Sequence, residues 1–159
     1  MIEPVRTFDE LAMAQVGILR RTLTGIGEAE LDWRMHPEAN TIRWLLGHHL
    51  WYETWVPDAI EGTGRFLVDR KPTTLSVADV DDFWARFDAA FARRRAVYEG
   101  LEPADLDRAF SYLGVATYTV GQLVRTHAAH FAGHTWQIRY VRGTHSRAFG
   151  TDKRVFDPF

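Results

Sequence analysis

The stretch "TVGQLVRTHAAHFAGHTWQIRYVRG", residues 119–143, has the longest helical pattern in the chain. Thr119 is followed three residues later by Gln122, which is the capping-box pattern that begins a helix. Apolar residues then recur at helical spacing, and we expect the helix to reach about Arg142, before Gly143. At 1.5 Å per residue, these roughly 24 residues form a helix about 36 Å long.

Three further stretches have apolar residues at helical spacing, and we expect helices over residues 7–23, 41–56 and 77–98. The first helix begins at Thr7, which has Glu10 as its capping-box partner. It ends near Leu23, because Gly25 and Gly27 follow and break the helical pattern.

The second of these helices begins at Asn40 or Thr41 and reaches about Val56, because Pro57 discourages continuation. It is apolar on nearly all sides, which indicates either a central position in the fold or a position at an interface. An interface of this kind would predict a homodimer. The third helix follows Ser76, which we expect to be its N-cap.

Four long helices without a convincing strand pattern predict an all-α four-helix bundle, formed by residues 1–159 as a single domain. We expect loops over residues 61–74 and 102–118, with room for a short extended piece within residues 108–119. All three connections between the long helices are long enough for a crossover, so the pattern leaves the direction of the helices open.

Composition and charge exclude several classes of protein. A net charge of −2 argues against a nucleic-acid-binding protein that depends on a basic face. No apolar run approaches the roughly 20 residues of a membrane span, and the N-terminus has no apolar signal segment. We therefore expect a cytoplasmic protein that does not bind membranes. Because the chain has no cysteine, a metal site must use His, Asp, Glu or water.

Three histidines interrupt the apolar pattern of the last helix. At about 100° per residue, His130 and His134 lie about 40° apart on a face that includes Ile138 and Val141, and that face points inward. His127 lies at the edge of the same face. Two histidines four residues apart on a helix can bind one metal ion, because both imidazoles reach the same point.

A third ligand has to come from another helix, and residues 41–56 offer two candidates. His48 and His49 both lie on apolar faces, so the periodicity does not choose between them. Buried imidazoles need hydrogen-bond partners, and few polar side chains lie near these histidines in the sequence. The pattern alone leaves two interpretations, a metal site or histidines that pack the core.

Two segments resemble conserved parts of the DinB/YfiT-like superfamily of bacterial four-helix proteins. "ELDWRMHPEANTIRWLLGHHLWYETW" is similar to the start of the family's second helix, with its W-L-L-x-H-L motif. In the last helix, His130, His134, Gln137 and Ile138 resemble the family pattern H-x3-H-x-x-Q-I. This resemblance implies that His48, His130 and His134 bind one divalent metal, with water in the open positions.

The same resemblance implies the activity and the assembly. Characterised relatives include transferases and isomerases that use low-molecular-weight thiols such as bacillithiol or mycothiol, and relatives are often dimers. The chain departs from the family at Gly133, where a histidine is common, and at Trp136, where a glycine is common. Neither difference removes a ligand, but both change the surroundings of the pocket.

Three neutral imidazoles leave a bound divalent ion with its full charge, which lowers the pKa of a bound water or thiol. We therefore expect a metal-bound water or thiolate as the catalytic group, on zinc or nickel, although imidazole also suits iron, cobalt and copper. Residues that could support the site or line its pocket are Gln137, Tyr52, Trp55, His127 and His49. The alternative interpretation of Gln137 is a packed amide without a role in the site. The alternative interpretation of Tyr52 and Trp55 is that they are ordinary aromatic residues of the core.

The sequence thus predicts a metal-dependent transferase or hydrolase that acts on a small molecule. The alternative is a non-catalytic bundle that binds a metal or ligand for stability or sensing, and a fourth protein ligand such as His127 would favour it. His49 and Glu53, four residues apart, are interpreted as a structural or half-exposed pair. Arg93–Arg95 are interpreted as a solvated helix face, and His36 and His145 are placed in loops without a role.

Overall fold

The computed structural model describes residues 1–62, 73–112 and 116–150. Four long helices confirm the predicted four-helix bundle, and a four-residue helix and a two-stranded hairpin lie in the connections. The elements are α1 (Glu3–Leu23), α2 (Glu28–Leu31), α3 (Ile42–Glu61), α4 (Val80–Glu99), β1 (Ala109–Tyr112), β2 (Ala116–Thr119) and α5 (Val120–Phe149). In the described part of the chain, no helix is both long and apolar enough to cross a membrane.

Side-chain contacts between α3 and α5 fix the relative direction of these two helices. His48, near the start of α3, contacts His130 in the middle of α5. Glu53, further along α3, contacts His127, which is earlier in α5. The two helices are therefore antiparallel.

The other helix pairs follow from contacts of the same kind. Asp9 at the start of α1 contacts Arg94 near the end of α4, so these helices are antiparallel. The backbone carbonyl of Thr22, near the end of α1, accepts from Arg142 near the end of α5, so α1 and α5 are parallel. It follows that α3 and α4 are parallel to each other. The helix order is up-down-down-up, so the chain crosses over between α3 and α4.

The core between the helices consists of two apolar clusters that border the histidines. One cluster contains Leu45, Phe87, Phe131 and Ile138, and the other contains Tyr52 and residues packed around it. Because α3 is buried by the other helices of its own chain, its apolar character needs no second subunit. The predicted homodimer therefore rests on the family resemblance alone.

The predicted end of α1 is correct, whereas its predicted start is wrong. The helix ends at Leu23 as expected, and Gly25 follows with φ 68°. It begins four residues before Thr7, at Glu3. Pro4 is the reason, because its fixed φ suits the first helical turn and its missing N–H costs nothing there.

Helix α3 begins as predicted, because the Thr41 hydroxyl accepts from the Trp44 N–H. The predicted end near Val56 is wrong, since the helix continues through Pro57 to Glu61. Proline removes one helical hydrogen bond. Burial of the following turn, which includes Ala59 and Ile60, offsets that loss.

Helix α4 begins later than predicted. Ser76 is not its N-cap, because the Asp79 side chain accepts from the Asp82 N–H and the helix begins at Val80. Its predicted end near Tyr98 is correct within a residue, because the helix ends at Glu99.

Helix α5 begins as predicted, with the capping box of Thr119 and Gln122. Its predicted end before Gly143 is wrong, because the helix has 30 residues and ends at Phe149. Contacts with α1 and α2 sustain the extra turns, since Arg142 binds the Thr22 carbonyl and Glu30. His145, predicted in a loop, therefore lies in this helix.

The connection between α4 and α5 is more regular than the predicted loop. A short 3-10 helix spans Pro103–Asp107, and β1 pairs with β2 in antiparallel register from Ala109↔Thr119 to Tyr112↔Ala116. The short extended piece predicted within residues 108–119 is therefore confirmed. Of the loop predicted over residues 61–74, residues 63–72 lie outside the described part of the chain.

Candidate metal centre

Three histidines from two helices meet in the bundle. One ring nitrogen from each of His48, His130 and His134 lies within 4.8 Å of those of the other two. The Nε2 atoms of His48 and His130 are 3.0 Å apart. The spacing of four on α5 and the antiparallel packing of α3 produce this arrangement, which is the group that the family resemblance selected.

His48 is held on both faces and at one nitrogen. Its ring stacks between two indoles, Trp44 at 5.1 Å and Trp51 at 5.8 Å between ring centroids. Its Nδ1–H donates to the backbone carbonyl of Thr73. A carbonyl can only accept, so this contact places the proton on Nδ1 and leaves the Nε2 lone pair facing His130.

His134 is oriented by a polar side chain on its own helix. Its Nδ1 donates to Oε1 of Gln137 at 2.9 Å, three residues further along α5. This contact again leaves Nε2 for a ligand. Gln137 is exposed, so the alternative of a packed amide is wrong, and its role in orienting a ligand stays a prediction.

His130 lies beside both other histidines and against Tyr52. The Tyr52 ring, which is buried, stacks on His130 at 4.1 Å and on His127 at 5.8 Å. Burial, together with the charges of His134 and His48, lowers the pKa of His130 to about 3. Its imidazole is therefore neutral at physiological pH, as a metal ligand must be.

The three side chains fit a divalent transition metal. Zinc–nitrogen bonds of about 2.0–2.1 Å in tetrahedral geometry place two ligand nitrogens about 3.3 Å apart. The distance of 3.0 Å between the His48 and His130 nitrogens is close to that value. In residues 1–62, 73–112 and 116–150, no carboxylate or fourth histidine joins the group.

His49, the other candidate from α3, lies outside this group. Its side chain is 1% exposed. The centroid of its ring lies 4.3 Å from that of Phe131 and 5.9 Å from that of His134. Burial and the neighbouring histidines lower the pKa of His49 well below its ordinary value, so it is neutral. Within the described residues neither nitrogen has a hydrogen-bond partner.

Trp55, predicted as a possible pocket residue, is buried one turn beyond Trp51. Its indole contacts the rings of Trp51 at 5.9 Å and Tyr52 at 5.6 Å. Trp55 therefore supports the aromatic residues that contact His48 and His130.

A buried chain of charges begins one helical turn from the three histidines. Glu53 accepts from His127 Nε2 at 2.7 Å and from Arg94 at 2.6 Å. Arg94 also donates to Asp9 at 2.9 Å, and Asp9 accepts from Arg95. These side chains join all four long helices, and we call them the Asp9–His127 network.

The network corrects two interpretations of the sequence. Glu53 pairs with Arg94 and His127, whereas the structural or half-exposed pair predicted for His49 and Glu53 does not form. Arg94 is 0% exposed, so only its neighbours Arg93 and Arg95 lie on a solvated face.

A signal for the buried arginine was present in the sequence. Arg94 lies at helical spacing from Phe83, Phe87, Ala90 and Phe91, on the apolar stripe of α4. An arginine on such a stripe indicates a buried ion pair, because an unpaired charge there would be too costly.

The comparisons with known proteins give the family and the fold. Residues 14–138 match the family model of the DinB superfamily. The chain belongs to this superfamily. A crystal structure of a conserved protein from Enterococcus faecalis has the same fold, with a TM-score of 0.72 and 14% sequence identity. The match covers 90% of this chain and 97% of that one, while the search of curated proteins found no match.

Proposed function

We propose that this DinB-superfamily protein is a metal-dependent enzyme whose three histidines hold one divalent ion. The observation that carries the proposal is the convergence of His48, His130 and His134 within 4.8 Å, without a carboxylate in the described residues. We further propose that the reaction is a thiol-dependent transfer or a hydrolysis on a small molecule.

The number of protein ligands favours a catalytic over a structural ion. Structural zinc sites have four protein ligands, whereas catalytic sites have three and an open position. His127 was the candidate for a fourth ligand, but its Nε2 is bound to Glu53. His130 and His134 are both partly exposed, so solvent and substrate can approach the group from the side of α5.

Backbone and side-chain groups of the protein orient the three histidines without a metal. Thr73 and Gln137 hold the Nδ1–H groups of His48 and His134, and burial keeps His130 neutral. When bound, a divalent ion with three neutral ligands would supply Lewis acidity, would bring the pKa of a bound water to about 7 and would deprotonate a bound thiol. We propose zinc or nickel as the ion, because both accept imidazole ligands.

The source of a thiol follows from the composition. The chain has no cysteine, so a thiol nucleophile has to come from a co-substrate. The aromatic residues Trp44, Trp51 and Tyr52 beside the ligands favour a substrate with an apolar part. Membership of the DinB superfamily supports a low-molecular-weight thiol such as bacillithiol or mycothiol.

The test uses metal-free protein reloaded with zinc or nickel. We would measure consumption of bacillithiol, mycothiol and cysteine with a panel of small electrophiles, and hydrolysis of a panel of esters and amides without thiol. We expect turnover that requires the metal and is lost in His130→Ala. One bound ion per chain without turnover in either panel would favour the non-catalytic alternative.

A further inference from the structure

Gly47 lies in the middle of α3, immediately before His48, where another chain segment approaches the helix backbone. A Cβ at this position would lie closer than 3.0 Å to the Leu75 carbonyl oxygen and to Thr74 Oγ1. Real Cβ atoms essentially never make contacts this short, and one of the two partners is backbone. Only glycine therefore fits here while residues 73–75 keep their place.

Residues 73–75, which we call the clamp segment, make three hydrogen bonds to one turn of α3. The Leu75 N–H donates to the Gly47 carbonyl at 3.0 Å, and the Thr74 hydroxyl donates to the Trp44 carbonyl at 3.2 Å. The Thr73 carbonyl accepts from His48 Nδ1. The first two bonds anchor the segment, and the third reaches the side chain of the candidate ligand.

We propose that Gly47 and the clamp segment are positioning elements for the metal ligand His48. Gly47 admits the clamp segment to the helix surface, and the Thr73 carbonyl then fixes both the ring orientation and the tautomer of His48. Its Nε2 consequently faces His130 and His134. This inference rests on the proposed function, because positioning matters only if His48 binds a metal.

A second glycine separates this role from the ordinary effect of glycine in a helix. Gly133 is exposed on α5 next to His134, and a Cβ there would meet nothing within 4 Å. Glycine inside a helix is less stable than alanine, so Gly133→Ala should be neutral or stabilising. Gly47→Ala is the same chemical change beside another candidate ligand, but it collides with the clamp segment.

The experiment measures zinc affinity by competition with a chelating dye for the wild type and three variants. Loss of a hydrogen bond that orients a metal-bound histidine typically weakens binding by about 10–100-fold. We expect a loss in that range for Gly47→Ala and a smaller loss for Thr74→Val, which removes only the anchor to Trp44. Gly133→Ala should keep wild-type affinity.

A second measurement, on metal-free protein, reports the tautomer directly. In ¹⁵N NMR spectra of the wild type and Gly133→Ala, we expect His48 to carry its proton on Nδ1. Gly47→Ala should show a mixture of tautomers, and Thr74→Val a smaller change in the same direction. If Gly47→Ala does not fold, Thr74→Val provides the test alone.

The outcomes separate this inference from the proposed function. A folded Gly47→Ala or Thr74→Val protein with wild-type zinc affinity and an unchanged His48 tautomer would overturn the inference. If the wild type binds neither zinc nor nickel, the proposed function fails. The tautomer spectra would then still decide whether the clamp segment holds His48.

Discussion

Helices α3 and α5 build two histidine sites one turn apart that differ in their partners. At the first, His48, His130 and His134 face one another without a carboxylate from the described residues. At the second, His127 faces the carboxylate of Glu53, which is also bound by Arg94. The comparison shows that the partners of a buried histidine, more than its burial, decide what it can bind.

The pKa values of His130 and Glu53 differ from their ordinary values for different reasons at the two sites. Burial and the neighbouring histidines lower the pKa of His130 to about 3, so its nitrogens stay neutral. Burial raises the pKa of Glu53, but the charges of His127 and Arg94 outweigh it, and the net pKa lies below the ordinary value. The first site therefore keeps nitrogen lone pairs for a metal. At the second site, His127 and Arg94 are already paired with the Glu53 carboxylate.

The largest effect is expected from breaking the Asp9–His127 network with Arg94→Met. The substitution leaves Asp9 and Glu53 buried without their shared cation, and removing one partner of a buried ion pair costs about 3–5 kcal/mol. Urea unfolding at pH 7 measures this loss. The neighbouring half-exposed Arg93, changed to Met, should cost less than about 1 kcal/mol. Equal effects of the two substitutions would show that the network has no special role.

A smaller change in the free energy of unfolding is expected at the site of His48, His130 and His134, and it should appear only when metal is added. Zinc at about 100 times its dissociation constant should raise the free energy of unfolding by about 2.7 kcal/mol, because it binds the folded state. The increase should disappear in His134→Ala and persist in His36→Ala, whose histidine is exposed. Thermal unfolding with and without zinc makes the comparison, and zinc-dependent stabilisation of His134→Ala would contradict the three-histidine site.

The pH dependence of stability distinguishes the sites further. Because folding lowers the pKa of Glu53, its stabilising contribution is complete above the unfolded pKa of about 4.5 and is lost as pH falls through the folded value. Each unit of lowering corresponds to about 1.4 kcal/mol. The difference in unfolding free energy between wild type and Glu53→Gln should therefore narrow as the pH falls below about 4.5. A constant difference would show that the Glu53 carboxylate is not stabilised by its charge.

The smallest change in stability is expected at a solvent-exposed ion pair whose nitrogen–oxygen distances are similar to those of the buried Arg94 pairs. Arg20 binds both carboxylate oxygens of Asp88, at 2.5 and 2.8 Å, and both side chains are about half exposed. Asp88→Asn should cost less than about 1 kcal/mol, and less still in high salt. A cost that approaches that of Arg94→Met would mean that burial does not set the difference between the two ion pairs.

The helices could be predicted from periodicity and capping residues, but several of their ends could not. Thr41 and Thr119 mark the starts of α3 and α5 because capping is a local interaction. Pro57 and Gly143 discourage a helix locally, yet the helices continue because packing against other elements stabilises the next turns. Such tertiary contacts cannot be read from a short window of sequence.

The candidate site was predictable to different degrees. The spacing of His130 and His134 points to a shared ligand, whereas the choice of His48 over His49 needed the family resemblance. The Asp9–His127 network was missed, because arginines and carboxylates far apart in sequence usually indicate solvated surface. The clamp segment was missed too, since a backbone carbonyl such as that of Thr73 has no sequence signature.

The most direct test of the central claim is the metal content of purified, untagged protein, measured by mass spectrometry after exposure to zinc or nickel. We expect about one ion per chain in the wild type and in His49→Ala. The ion should be absent from His48→Ala, His130→Ala and His134→Ala. A wild-type protein without metal, or a full ion in any of these three variants, would contradict a three-histidine centre.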